Sequence, residues 1–511
     1  MQRIKLEREM KITHDCGGEF TLPDYVPAIG RMLSAECVPA PEGVYLKETD
    51  GRGVTAELGG VASFRILYVP EGSGNDSEDD NDSSSVYGVT VPCDYDAAAM
   101  IGNVESPVVY MSTVPENVFC RVTAPRKLQL RCRLGTRITV ADDVRIPEID
   151  NSVAGLEKRT GSVVMASSER ACARDLLCAF DLSSLPDGSS PVMCSANVVV
   201  TECRPTGDTA PNEYRCRGDV IVMCLYERGG EVMTMTEKLP FDEVIVFDNA
   251  VGGSRSFDSD ASDNALVRAC GHIMSCELHT DDSGSRVEVV YELDAEAVTP
   301  VGTELVTDAY SCSVPLDVTY DDVEFMSPLC THTGGVTVSE RIPKNEVARV
   351  VAVYANASLV DAECVRSHVH INGELRGTAL TVSGGEYDAV PFSLPWSYEP
   401  PCDCECCDGD TLAVWGDVSV PAITARLDGE LSVDADLVIS ATVVKLNRER
   451  VVSSVASSGD EFPARDGFTV YYPAHGETVW DIAKHFHVPA SAVATAPNLT
   501  SDGTPAGVIV I

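Results

Sequence analysis

The densest set of reactive side chains in this chain is Pro400-Pro401-Cys402-Asp403-Cys404-Glu405-Cys406-Cys407-Asp408. Thiols this close together could capture Zn²⁺ or Cu(I). A structural zinc site draws on two separated Cys-x-x-Cys knuckles, and the spacing of this run is wrong for that. Asp403, Glu405 and Asp408 also disfavour thiolate formation, which blunts reactivity. Cys402, Cys404, Cys406 and Cys407 therefore read as a surface loop, with soft-metal capture and interchain crosslinking as the alternatives. His368-Val369-His370 places two imidazoles on one strand face, but no third ligand stands near them in sequence. The glycine pairs Gly17-Gly18, Gly252-Gly253, Gly334-Gly335 and Gly384-Gly385 are turns, since none leads into a helix bearing Lys-[Ser/Thr]. There is no Gly-x-Ser-x-Gly elbow and no recognisable Ser, His and Asp set. The expectation is no enzyme, no catalytic residue and no cofactor.

The elements that carry these residues read as strands. Aliphatic and Thr-rich runs broken by Gly, Pro and Asp dominate, and helical periodicity is scarce, so the body is expected to be mainly β. A chain of 511 residues exceeds one core and suggests three or four domains. Three landmarks recur in order at a period of about 155 residues. The first is a Gly followed seven residues later by Leu: Gly60 and Leu67, Gly218 and Leu225, Gly373 and Leu380. The second is a hydrophobic-Pro pair taken to open a strand, as in Val91-Pro92, Leu239-Pro240 and Val390-Pro391. The third is a long alternating strand. Leu128, Leu130, Cys132, Leu134, Ile138 and Val140 face inward in copy one, with Arg131 and Arg133 outward. Copy two has Val287 to Ala297 inward at alternate positions, with Glu288, Glu292, Asp294 and Glu296 outward. Copy three has Leu431 to Ala441 inward, with Ser432, Asp434, Asp436 and Ser440 outward. One wet face implies antiparallel sheets. The fold expected is three tandem, sandwich-like antiparallel β modules over 1–165, 166–305 and 306–454. The Gly72 to Ser85 run is expected to be a solvated loop rather than a Ca²⁺ site.

Charge narrows the partners. With 79 acidic against 38 basic residues, the net charge of −41 excludes nucleic acid and argues against anionic membranes. Colloidal solubility explains it more simply than a basic protein partner does. The first residues lack an apolar signal segment and no 18-residue apolar run exists, so cytoplasmic residence without membrane insertion is expected. Most of the cysteines stand singly in hydrophobic runs, as buried thiols do in a reducing compartment.

The last stretch, 467–511, differs from the rest. Phe468-Thr469-Val470 and Val508-Ile509-Val510-Ile511 are strand-like. Between them Thr478 can cap a helix with Asp481 as its partner, and Val479, Ile482, Ala483 and Phe486 share one apolar face. Pro489 suits the first turn of a second helix, and Pro497 ends it. This strand, helix, helix, strand order, with Val470, Gly476, Glu477, Thr478, Trp480, Ile482 and Ala483 in place, resembles a LysM domain. Ala496 stands where that family has Asn. Upstream, Thr21-Leu22-Pro23 with Pro27 and Ile29, the Gly to Leu-Tyr strand and the Pro125-Arg126-Lys127 lead-in resemble SPOCS domains. Three such repeats and a C-terminal LysM domain are similar to the SipL-like family of spore-coat morphogenetic proteins.

That resemblance implies a non-enzymatic scaffold in spore-coat assembly. It would sit in the mother cell at the forespore surface, with its LysM domain docking a coat-basement ATPase and its modules positioning other coat proteins. The alternative is a peptidoglycan-binding, N-acetylglucosamine-reading wall protein. The LysM resemblance assigns partner or glycan binding to His475, Gly476, Glu477, Thr478, Lys484, His485, His487, Asn498, Leu499 and Thr500. Trp480 is expected in the module's core, and Glu477, Lys484, His485 and His487 at its surface. Residues 455–466 read as a flexible linker with an end-to-end distance on the order of 20 Å, which would let the tail turn independently.

Overall fold

In a computed structural model, the structure describes residues 2–49, 53–72, 86–207, 210, 212–248, 266–281, 284–401, 406–463, 467–494 and 509–510. The acidic run at 73–85 lies outside them, as do Cys402, Cys404, Asn498, Leu499 and Thr500.

The chain is mainly β, in several antiparallel sheets. Copy one supplies β1 (Gln2–Thr21), β2 (Ile29–Thr49), β3 (Gly53–Pro70), β4 (Tyr87–Gly102), β5 (Val108–Ala124) and β6 (Lys127–Asp143). Copy two supplies β7 (Leu156–Asp181), β8 (Ser189–Pro205), β9 (Glu213–Arg228), β10 (Glu231–Val246), β11 (Leu266–Asp281) and β12 (Gly284–Ser311). Copy three has β13 (Leu316–Val365), β14 (His368–Ser383), β15 (Glu386–Tyr398) and β16 (Leu412–Ser457). In each copy a meander, β2-β3-β4, β8-β9-β10 or β13-β14-β15, carries the first two landmarks. The alternating landmark strands β6 and β12 belong to a different sheet from their meanders, whereas β16 pairs with the long β13 in the sheet of its own meander. In copy one Leu128, Leu130, Cys132 and Leu134 of β6 share a core with Phe64 and Ile66 of β3 and Tyr95 of β4. Copies two and three have equivalent cores around Val287 to Ala297 and Leu431 to Ala441.

The glycine landmark has a steric cause that is the same three times. Gly60, Gly218 and Gly373 each pair across to an aromatic residue of the next strand, Tyr95, Phe241 and Trp396. Each also sits beside a bulge in the preceding strand, where Glu42, Thr201 and Val360 are the extra residues. A Cβ on Gly218 would lie 1.9 Å from the Val199 carbonyl oxygen and 2.8 Å from the Phe241 ring. Only glycine fits where the ring folds over the bulged backbone.

A second bulge, seven residues along, explains the leucine landmark. Leu33, Val192 and Val351 are the extra residues there, beside Leu67, Leu225 and Leu380. Those residues meet with Val86, Val232 and Tyr387 in one cluster to which all three copies contribute. The three landmark leucines are fully buried in it, each contributing about 2 kcal/mol by transfer from water. The bulges thus turn a side chain out of each module's own core and into a common hub.

Several expectations need correction. Pro92, Pro240 and Pro391 lie inside β4, β10 and β15 rather than at strand starts. They are tolerated because each of these is an edge strand. Glu296 and Ser440, expected to face water, are buried where copies two and three meet: Trp415 bonds to Glu296, and Ser440 bonds to the Ala269 carbonyl. Cys406 is not a loop thiol: at 2% exposure it lies in the copy-three core and is disulfide-bonded to Cys364.

The residues behind the upstream resemblance gather at one point. Leu22 and Ile29 donate backbone bonds to the Arg126 and Pro125 carbonyls at 2.8 and 2.7 Å, and the Arg126 guanidinium donates to the carbonyls of Val26 and Pro23.

The chain divides into two compact units. One comprises 1–143, 166–300 and 328–446; the other comprises 144–165, 301–327 and 447–511. The second thus takes one segment from the end of each copy, joined through Val144, Met165, Leu305, Val323, Phe325 and Val451, and adds the tail. The tail contains β17 (Val470–Tyr471), α1 (Val479–Phe486), α2 (Ala490–Ala494) and β18 (Ile509–Val510), with β17 and β18 antiparallel. No helix among the described residues is long and apolar enough to cross a membrane.

Candidate functional site

The tail is built from its caps inward. The Thr478 hydroxyl accepts from the Asp481 backbone N–H while the Asp481 carboxylate accepts from the Thr478 N–H, closing a capping box at the start of α1. The Asp481 carboxylate also accepts from the Thr478 hydroxyl at 2.7 Å, and this bond and the one from the Thr478 N–H hold its carboxyl below the ordinary range. The helix ends at His487, which adopts a left-handed conformation at φ 51°. Ile482 and Ala483 are buried with Val493 and Ile509, and Val479, Phe486 and Trp480 pack around them.

The residue that organises this module lies far away in sequence. The Asp308 carboxylate accepts from the Trp480 indole N–H at 2.8 Å, the Lys484 ammonium at 2.7 Å and the Tyr320 hydroxyl at 2.9 Å. Burial pushes the Asp308 pKa up, but these donors outweigh it and leave it below the usual carboxylate value. Tyr310 stacks edge-on against Trp480 at 4.8 Å and donates its hydroxyl to the Val488 carbonyl at 2.7 Å. Trp480 is therefore a half-buried packing residue, consistent with its expected role. On the same side Tyr310, Ser311, Val318, Tyr320, Lys484 and His487 line a shallow pocket of about 240 Å³.

Several residues expected to be free surface are engaged. Glu477 accepts from the Tyr471 hydroxyl at 2.9 Å and the Ala474 N–H at 2.9 Å, which shapes the loop after β17. Lys484 is committed to Asp308, and His487 stacks on Phe462 at 4.1 Å. The described part of the 455–466 stretch is anchored as well. Ser458 and Phe462 donate backbone bonds to Pro315 and Ser313, so the tail does not hang from a free tether there. His475 and His485 are exposed, and the exposed Gly476 turns at φ 85°. Thr478 is occupied as a cap.

What the sequence did not single out is an apolar stripe on the tail. Phe468, Val470 and Tyr472, at alternate positions in and beside β17, are 90%, 57% and 74% exposed. Among the described residues β17 pairs with β18 alone. A period-two set of large apolar residues was a legible signal, but it reads equally well as a buried strand face.

The remaining candidates are simpler. His368 pairs with Glu399 at 3.0 Å, and no third metal ligand joins it and His370 among the described residues. Cys407 is exposed. The chain matches no protein-family model, no curated protein and no solved structure.

Proposed function

We propose that this chain is a non-enzymatic scaffold of the spore envelope, in which the tail is a LysM-like module that docks a coat-basement ATPase and the three copies present surfaces to other coat proteins. The observation that carries the reading is the exposed Phe468, Val470 and Tyr472 set at β17, a strand that pairs with β18 alone among the described residues. Exposed apolar side chains at alternate positions beside a short strand suit strand addition by a protein segment, the backbone giving affinity and the side chains specificity. Aromatic residues of this kind dominate interface energetics. The face of α1 that carries Trp480 is already filled by Tyr310 and Asp308, which leaves the β17 side as the accessible one.

The experiment compares the full chain with a Phe468→Ser, Tyr472→Ser double variant for retention of the purified basement ATPase and of purified peptidoglycan. The scaffold reading expects the ATPase to be retained by the native chain and lost by the variant. Saturable binding of peptidoglycan without binding of the ATPase would replace it with the wall-binding reading.

A further inference from the structure

Two groups of three potential metal ligands lie within the larger unit. Cys16, Cys37 and Cys132 are buried in the apolar core of copy one and behave as packing residues. The second group has a different environment. Cys270 and His272 stand two apart on β11 and so share a face; Asp294 is the register partner of Cys270 on β12; and Asp417 comes from β16 of copy three.

We propose that Cys270, His272 and Asp417, with Asp294 as the fourth ligand, form a binding site for a zinc-class divalent cation that clamps the second copy to the third. The donor atoms of Cys270, His272 and Asp417 all lie within 4.8 Å of one another. The Cys270 sulfur is 3.6 Å from His272 Nε2, the Asp294 carboxylate 3.5 Å from the same nitrogen, and the Asp417 carboxylate 3.9 Å from Nδ1. Bonds of about 2.0–2.3 Å around a tetrahedron set ligand atoms roughly 3.3–3.8 Å apart; Cys270 and Asp294 already stand at that spacing from Nε2, and Asp417, which faces Nδ1, has to turn its carboxylate to reach the same ion. One thiolate, one imidazole and two carboxylates are a zinc donor set, too hard for Cu(I) and too soft for Ca²⁺.

The surroundings are built to hold these ligands. Ser440 of β16 donates to the Ala269 carbonyl of β11 at 2.9 Å, and Trp415, two residues before Asp417, donates its indole N–H to Glu296 at 2.6 Å. Both bonds fix β16 against copy two on either side of the site. Gly416 lets the start of β16 lie close on its own later stretch, because a Cβ there would lie 2.2 Å from the Ser440 carbonyl oxygen. The Cys270 sulfur is buried, whereas the side chains of His272, Asp294 and Asp417 are each about a third exposed, which leaves an entry route from water.

The test uses the full chain, stripped with a chelator and titrated with Zn²⁺ and then with Co²⁺, whose thiolate charge-transfer band reports a cysteine ligand. The native chain should bind one saturable equivalent that shows this band. Cys270→Ser should abolish the band of that equivalent, and Asp417→Asn and His272→Ala should weaken its affinity at least tenfold. Replacing Cys402, Cys404 and Cys407 by Ser should leave it in place. An absence of any saturable equivalent, or an affinity unchanged in Asp417→Asn, would overturn the proposal. Asp417→Asn decides the matter if Cys270→Ser does not fold, because Asp417 lies at the partly exposed rim and keeps its shape.

Discussion

Replacing Glu296 by Ala should be among the most damaging single changes in the larger unit. At 1% exposure its carboxylate accepts from Ser168 at 2.9 Å, from Arg268 at 2.9 Å and from the Trp415 indole at 2.6 Å. Tyr110 of copy one stacks on Trp415 at 4.6 Å and donates to Ser168, so one carboxylate ties together residues from all three copies. Burial opposes its ionisation, but Arg268 and the other donors prevail and keep its pKa below the ordinary value. Removing the carboxylate leaves the Arg268 guanidinium buried without a counterion and the indole N–H without an acceptor. Breaking one half of a buried pair costs about 3–5 kcal/mol, on the order of a thousandfold in the folding equilibrium. The assay is denaturant unfolding of the native chain, Glu296→Ala, Arg268→Met and the double variant Glu296→Leu, Arg268→Met. The double variant should be less destabilised than the Glu296 single, since it buries no orphaned charge. A Glu296→Ala cost below about 1 kcal/mol, or a double-variant cost equal to the sum of the singles, would refute the reasoning.

Other outcomes follow from the same structure. Gly218→Ala should destabilise the larger unit by about 3 kcal/mol, because neither the Val199 carbonyl nor the Phe241 ring can retreat without breaking the bulge; unfolding midpoints report it. Glu36 has its pKa raised to about 7, chiefly by burial, only partly relieved by Arg65. The folded state therefore binds the extra proton between the ordinary carboxylate value and about 7, and stability should fall as pH rises through that window. Glu36→Gln should flatten that slope in unfolding midpoints taken as a function of pH. Asp308→Ala should loosen the tail by about 2 kcal/mol, seen as faster amide exchange in α1, by removing a charged acceptor shared by Trp480 and Lys484. The depressed Asp308 pKa gives the opposite sign to Glu36: its contribution is complete above the ordinary carboxylate range and is lost as pH falls through the lower folded value.

The period-two strands were legible because one face of each meets an apolar core: Leu128 to Val140, Val287 to Ala297 and Leu431 to Ala441 all turn inward as their alternation requires. The repeated Gly and Leu were legible as markers but not as mechanism. Their meaning depends on Glu42, Thr201 and Val360, and on Leu33, Val192 and Val351, which no propensity marks as bulges. The capping box of Thr478 and Asp481 was local and therefore readable. Asp308 was not, because it stands 172 residues before the Trp480 it holds. Glu296 misled for the same reason: strand alternation says which residues share a face, not what covers that face. Cys406 was read from its acidic neighbours, whereas its partner Cys364 lies 42 residues upstream on β13.

The central claim is that the β17 side of the tail docks the chain onto a protein platform. Its most direct test is the position of the tagged full-length chain in a sporulating cell, native and with Phe468→Ser and Tyr472→Ser, at equal abundance. The account predicts a native signal confined to the forespore surface and a dispersed signal for the variant. A variant that still encircles the forespore, or a native chain found in the cell wall, would contradict it.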